Sequence, residues 1–273
     1  SFSYTRSIRN DYLDPRYATL SYEAQCLWKD LEKKSETKFF IECGCLNLAK
    51  KTITPNFSQT YAEQSFQNIN ALQFDAQKFN KAELQKRFPQ FTVDQGCLDV
   101  KAGFLYLPPI TKLLLQLLQK RNVTIKENVD IKNIEETNNE VRITTEEEII
   151  TANKVTITAG RWINDLLQIT KNNNLSFPIS LDKPQECKYF YPPKNLQKQF
   201  LPENFPVFAY LDIGIYGHPI FDKEKGAVKI GYYNPPDVAR KKTKINATAT
   251  GQISQRKIPA SLPPAAQGIK NRP

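Results

Sequence analysis

The sequence predicts an α/β body joined to a second domain built on an antiparallel sheet. Three observations carry this expectation. First, Val155-Thr156-Ile157-Thr158 is a β-branched run suited to a buried strand. It passes through Ala159-Gly160 into Trp162, Ile163, Leu166 and Leu167, which are spaced as one helix face. Second, a leucine-rich helical stretch over 110–121 precedes several short apolar runs separated by polar turns. Third, beyond Pro178 the apolar runs are divided by proline and glycine turns with no helical period between them.

Composition sets the outer bounds. At 273 residues, with 40% hydrophobic and 11% aromatic residues, the chain can bury one large core or two modest ones. No run approaches the roughly 20 apolar residues that span a bilayer, and no signal-peptide pattern opens the chain, so a cytoplasmic protein without a membrane partner is expected. The net charge of +10 is unevenly placed. Arg240, Lys241, Lys242, Lys244, Arg256, Lys257, Lys270 and Arg272 stand against Asp237 alone in the tail from Asn234. The basic character therefore belongs to a tail, and a nucleic-acid face on the body is not expected. That tail has no aromatic residue and is expected to stay disordered, because it can bury too little apolar area to offset ordering. Attachment of the tail to an acidic surface is the weakest of the functional readings. The chain contains no methionine. It reads as an internal fragment.

In chain order, Tyr17 to Lys34 reads as an amphipathic helix with Tyr17, Leu20, Ala24, Leu27, Trp28 and Leu31 on its apolar face. Phe39 to Leu48 reads as one strand marked by Gly44. Residues 58–90 have a polar, helical rhythm. Leu98 to Leu107 holds a second glycine-marked strand, Ala102-Gly103-Phe104-Leu105-Tyr106, and Pro108-Pro109 opens the helix that follows. Val123–Ile125, Ile131–Glu135, Val141–Thr145 and Ile149–Ile150 read as a meander. Glu186–Tyr191, Val207–Leu211, Gly214–Gly217 and Ala227–Tyr233 supply the antiparallel platform.

Few residues point to chemistry unaided. Arg6 and Arg9 are three apart, which on a helical turn places both guanidiniums on one side as an anion clamp. Lys229, inside Val228-Lys229-Ile230, either faces solvent or points into a cavity that Tyr216 could share. His218 has no visible acid or nucleophile partner and reads as structural. Cys26, Cys43, Cys45, Cys97 and Cys187 form no metal or disulfide pattern, and reduced, buried thiols are expected. No GxGxxG, GxxxxGK, HExxH or GxSxG motif occurs.

Taken in order, the segments resemble the FAD-dependent monomeric sarcosine oxidase family, which includes N-methyltryptophan, pipecolate and fructosyl-amino-acid oxidases. The resemblance rests on Thr5-Arg6-Ser7-Ile8-Arg9, Leu27-Trp28-Lys29-Asp30-Leu31-Glu32-Lys33, Cys43-Gly44-Cys45-Leu46 and Ala102-Gly103-Phe104-Leu105. It continues through Thr158-Ala159-Gly160-Arg161-Trp162, Gly214-Ile215-Tyr216-Gly217-His218-Pro219 and Val228-Lys229-Ile230-Gly231-Tyr232, covering residues 1 to about 233. It implies a Rossmann-like FAD domain with a β-meander crossover (1–50 and 99–178) but lacking its N-terminal βαβ unit. That domain would be interleaved with an α+β substrate domain (51–98 and 179–233), followed by the 234–273 tail.

The resemblance further implies oxidation of a secondary amine or N-methyl amino acid to an imine, with oxygen reduced to hydrogen peroxide by a monomer. Lys229, Arg6 and Tyr216 would be catalytic, Lys229 supplying a fixed cation near flavin N5. Arg9 would clamp the substrate carboxylate, with Tyr216 and Tyr233 lining the substrate side. Thr5, Arg6, Ile131, Ala159, Gly160 and Trp162 would contact FAD. Tyr233 stands where sarcosine oxidases proper carry histidine, which favours a related amine. No cysteine matches the covalent flavin position, and the tail departs from the family's C-terminal part, past Lys242 as though out of frame. In a eukaryote the compartment would be peroxisomal. The competing expectation is a non-catalytic remnant that binds a carboxylate ligand.

Overall fold

The computed structural model describes residues 4–137, 140–170, 187–221 and 226–232. The basic tail and Tyr233 lie outside these residues. The described chain forms two compact units, one of residues 4–113 with 187–232 and one of residues 114–170. These units are defined by packing; the expected division was one of ligand-binding role.

The first unit holds two sheets. Strand β1 (Thr5–Ile8) pairs antiparallel with β6 (Gly103–Tyr106), which also pairs with β2 (Phe40–Ile41). The second sheet has seven strands in the order β10-β13-β12-β11-β3-β5-β4. Its members are β3 (Cys45–Ala49), β4 (Ala76–Asn80), β5 (Gln95–Asp99), β10 (Cys187–Phe190), β11 (Val207–Tyr210), β12 (Ile215–His218) and β13 (Val228–Tyr232). All neighbours are antiparallel except β11 and β3, which run parallel. The mixed α/β class expected from the sequence is the class observed.

The strand expected over Phe39–Leu48 is two strands in different sheets. Gly44 separates them with φ +81, a left-handed conformation that a side chain disfavours. Its N–H donates to Ala102 O at 2.8 Å, and its carbonyl accepts from Val207 N at 3.1 Å. The strand expected at Ala102–Tyr106, within Leu98–Leu107, is β6, while Leu98 and Asp99 end β5. Gly103 admits β2: a Cβ there would lie 2.0 Å from Ile41 O.

Helix α1 (Pro15–Ser35) starts at Asp14, whose side chain accepts from Arg16 N, with proline at its first position. Its buried face is half the one expected: Ala24, Trp28 and Leu31 pack against the core around Phe39 and Phe40. Tyr17, Leu20 and Leu27 are about 60% exposed, and Cys26 is exposed too, so the thiols are not uniformly buried. Ala18 and Gln25 are buried, while Trp28 packs edge-on to Phe39 at 5.8 Å. The rotation is fixed by Glu32, whose Oε1 accepts from both Phe39 N and Phe40 N at 2.7 Å. Two strand-edge donors outweigh the rest of the apolar stripe, because an unmet buried donor is costly.

Within 58–90 lie α2 (Tyr61–Ala71), β4 and α3 (Lys81–Arg87), the last opened by an Asn80–Glu83 capping box. The main core collects Leu46, Leu48, Leu84, Phe88, Phe205, Phe208 and Val228.

Helix α4 (Leu107–Lys120) leads into the second unit. There β7 (Ile131–Glu136), β8 (Val141–Thr145) and β9 (Ile149–Ala152) form the expected meander, followed by a 3₁₀ turn at Gly160–Trp162 and α5 (Ile163–Gln168). Val123–Ile125 forms no strand. The run Val155–Thr158 is not a strand either: it has no ladder partner among the described residues, and β-propensity without a neighbouring backbone makes no sheet. Ile157 instead packs against Ile134, Ala159 and Leu166. No helix of the described residues is long and apolar enough to cross a membrane.

Leu46 is fully buried on β3 and belongs to the main core. Truncation to alanine should cost about 3 kcal/mol of unfolding free energy, within the usual range for buried leucines. Urea denaturation of the Leu46→Ala chain measures it.

Candidate functional site

Strand β1 supplies the site's backbone. Its alternation turns Thr5 and Ser7 to one side. Thr5 is buried, and its carbonyl accepts from Lys229 Nζ at 3.3 Å. Ser7 Oγ lies 2.8 Å from His218 Nε2. Lys229 and His218 are register partners on β13 and β12, so one strand pair delivers both groups to β1.

Lys229 is 2% exposed, which decides between the two orientations left open by the sequence: it points inward. Its Nζ stands 5.9 Å from the ring centroid of Tyr216, within cation–π range. Tyr216 is half-buried and lies against Gly231, its register partner; a Cβ on Gly231 would fall 2.2 Å from Tyr216 Cζ. The absent side chain at 231 is therefore what seats the tyrosine ring. Burial and the Cys187 thiol, 3.8 Å from its hydroxyl, push the Tyr216 phenol up to about 12.

Burial, with the Lys229 and Arg6 charges, holds His218 well below the usual imidazole range. It is a neutral ring, and its Nδ1 has no hydrogen-bond partner among the described residues. Sequence reading took His218 as structural and missed its bond to Ser7, which comes from 211 residues away.

The pair Arg6 and Arg9 does not form the helical clamp expected from its spacing. Arg6 lies on strand β1, which ends at Ile8, and Arg9 follows outside it, so no helical turn brings the two together. Arg6 is exposed, with Nη1 donating to Thr5 O at 3.0 Å. Arg9 turns into a different cluster. Its Nη1 donates to Asp11 Oδ1 at 2.5 Å and to Asp11 O at 2.9 Å, and its guanidinium lies 4.5 Å over the Tyr12 ring. Asp11 is buried, and its other carboxylate oxygen accepts from Asn47 Nδ2. Asn10 N donates to Asp99 Oδ2 at 2.6 Å. Burial, together with the Asp11 charge, lifts Asp99 to about 7. The one sequence signal for this cluster was Asn47, a polar residue centred in the apolar strand Cys45–Ala49.

In the second unit, Ala159 is buried with Ile134 and Leu166, and Ile131 packs against them. Gly160 has φ +57 with open space where a Cβ would stand, and Trp162 is exposed. Thr5, Arg6, Tyr216 and Lys229 are thus gathered in the first unit, and Ile131, Ala159, Gly160 and Trp162 in the second. Arg9 has its own carboxylate.

A family model described as FAD dependent oxidoreductase matches residues 3–260. The chain belongs to this family. The match runs past residue 233, where the resemblance read from the sequence stops. N-methyl-L-tryptophan oxidases of Yersinia pestis (strain Pestoides F) and Yersinia pseudotuberculosis (serotype O:1b) are 26% identical over 167 residues, 60% of this chain and 43% of theirs. The chain thus spans less than half the length of these curated relatives. Among solved structures, NikD, an unusual amino acid oxidase, has a TM-score of 0.62 at 17% identity, covering 86% of this chain and 59% of NikD. L-proline dehydrogenase from P. horikoshii has a TM-score of 0.63 at 16% identity, covering 83% and 57%. Glycine oxidase from Geobacillus kaustophilus has a TM-score of 0.59 at 15% identity, covering 81% and 57%. These likenesses show the fold.

The family's cofactor is FAD. The residues present fit it on two observations: the buried Lys229 ammonium offers a fixed positive charge to an electron-rich ring, and Gly160 leaves open space beside buried Ala159.

Two outcomes test this geometry. Gly231→Ala should destabilise the chain by about 1–3 kcal/mol through overpacking. Much of that loss should vanish when Tyr216→Ala is added, a coupling that a double-mutant cycle in urea reads directly. Asp99 makes a pH prediction. Its folded carboxyl, at about 7, binds protons that the unfolded one, at roughly 3.9, has released. Its stabilisation is complete below the unfolded value and is lost as pH rises through 7. Relative to Asp99→Asn, the wild-type chain should therefore lose stability between about pH 4 and pH 7 and run parallel outside that window, measured by urea unfolding across pH.

Proposed function

We propose that this chain carries the substrate side of an FAD-dependent amine oxidase, which converts a secondary amine or N-methyl amino acid to an imine while oxygen becomes hydrogen peroxide. The observation that carries the reading is Lys229: an ammonium, 2% exposed, held between the Thr5 carbonyl and the Tyr216 ring. Burying such a charge costs several kcal/mol. It is a natural place to meet negative charge that develops during turnover, because a preorganised cation needs no reorientation.

FAD, when bound, supplies the two-electron acceptor. Thr5 and Arg6 would border its ring, with Ile131, Ala159, Gly160 and Trp162 on the dinucleotide. Tyr216 presents a phenol that stays protonated at neutral pH, so it acts as a hydrogen-bond donor and a wall rather than a base. Tyr233 would complete that wall. By role, residues 1–50 and 99–178 serve the cofactor, and 51–98 and 179–233 serve the substrate. The N-methyl-L-tryptophan oxidase relatives support the choice of an N-substituted amine.

The test is flavin retention followed by kinetics. The protein carrying this chain, mixed with FAD and passed through a desalting column, should keep flavin absorbance; a colourless product that takes up none would sink the reading. Lys229→Met should lower aerobic peroxide formation by about 10²–10³-fold, the usual loss for one preorganised electrostatic group. Flavin bleaching by amine without oxygen should change far less.

A further inference from the structure

We propose that His218, pinned by Ser7, is a positioning residue for Lys229: the Ser7–His218 pair fixes where the ammonium stands by means of neutral groups, so that its charge stays available to the reaction. The proposal rests on the amine-oxidase reading and adds a residue pair to it.

A lysine is a poor fixed charge unless its surroundings hold it, because a compact head rides on a flexible four-carbon stem. The contacts of Lys229 Nζ to the Thr5 carbonyl, at 3.3 Å, and to the Tyr216 ring, at 5.9 Å, are long ones of their kinds. The Ser7–His218 bond beside them is short. Ser7 Oγ and His218 Nε2 stand 2.8 Å apart and join β1 of the smaller sheet to β12 of the larger. Thr5 and Ser7 leave β1 on the same side, and His218 and Lys229 are register partners on β12 and β13. The two bonds therefore span one gap side by side. The shorter sets the width over which the longer must reach.

The imidazole is suited to this task in place and in charge. His218 is 1% exposed, with the Phe104 ring of β6 at 5.7 Å and the Tyr216 ring at 6.3 Å, centroid to centroid. Burial, then the Lys229 and Arg6 charges, keep it neutral. A neutral imidazole has one donor and one acceptor nitrogen, and a hydroxyl serves as either, so the bond to Ser7 exists in both tautomers. A carboxylate in the ring's place would grip the ammonium more strongly, but an opposite charge at that distance would cancel the field that makes the cation useful. A carbonyl, an aromatic face and a hydroxyl-bonded imidazole place the ammonium without neutralising it.

The experiment begins without flavin, on the whole chain labelled with ¹⁵N-lysine. The Lys229 Nζ resonance, assigned by its loss in Lys229→Met, should show restricted motion in the wild type. Ser7 is exposed, so Ser7→Ala removes the bond without opening the core. That variant should bring Lys229 Nζ to the mobility of the surface lysines, and Ser7→Thr, which keeps the hydroxyl, should restore the restriction. His218→Phe, which keeps a ring against Phe104, should match Ser7→Ala; should it fail to fold, Ser7→Ala decides alone. An unchanged Lys229 signal in Ser7→Ala would overturn the proposal, because a merely structural bond affects stability without freeing the lysine. In the flavin-loaded protein, Ser7→Ala should slow reoxidation by oxygen about tenfold, the cation being present but misplaced. Anaerobic bleaching by the amine should change far less, and equal losses in the two steps would also overturn the proposal. Failure to take up FAD sinks the oxidase reading and is told apart from failure of the positioning role, which the lysine resonance reads without flavin.

Discussion

The first unit depends on how a buried ammonium is compensated. Lys229 Nζ reaches the Thr5 carbonyl across from the other sheet, and that hydrogen bond ties β13 to β1. An ammonium removed from water needs oriented dipoles around it, which a backbone carbonyl and an aromatic face supply. The Ser7–His218 bond closes the same seam from the register partner of Lys229. A neutral imidazole is the form that can sit beside that charge. Two glycines complete the arrangement: Gly231 makes room for the Tyr216 ring, and Gly217 for the ring of Phe208.

Strand β1 and its continuation therefore serve two electrostatically opposite environments. Thr5 and Ser7 face a cation and a neutral ring. Arg9, Asn10 and Asp11 enter a cluster in which carboxylates outnumber the guanidinium. The first environment suits developing negative charge, and the second suits N–H donors. The short span between Thr5 and Asp11 keeps the two environments in fixed relation within one unit.

The α/β class, the meander over 131–152, the helix following Ala159-Gly160 and the platform strands after residue 186 were legible in the sequence. Each is a local pattern of apolar period and turn residues. The family was legible from the order of its motifs. What misled was local pattern read without a partner. Val155–Thr158 has strand composition but no neighbouring backbone to pair with. Of the apolar stripe of α1, Ala24, Trp28 and Leu31 pack inward beside Glu32, while Tyr17, Leu20 and Leu27 stay exposed. Arg6 and Arg9 are spaced for a helical turn, but β6 holds Arg6 on a strand that ends before Arg9.

The sequence by itself determined most of the elements, the family and the identity of the charged residues, since these depend on spacing and composition along the chain. Only the tertiary structure decided what each charge faces. Lys229 could point to solvent or inward until packing against β1 chose inward. His218 had no partner until Ser7 was brought to it. Arg9 looked like a free clamp until Asp11, itself held by Asn47, paired with it. The physical reason is common to all three: the energy of a charge or a buried polar atom is set by its neighbours in space, and those neighbours come from distant parts of the chain.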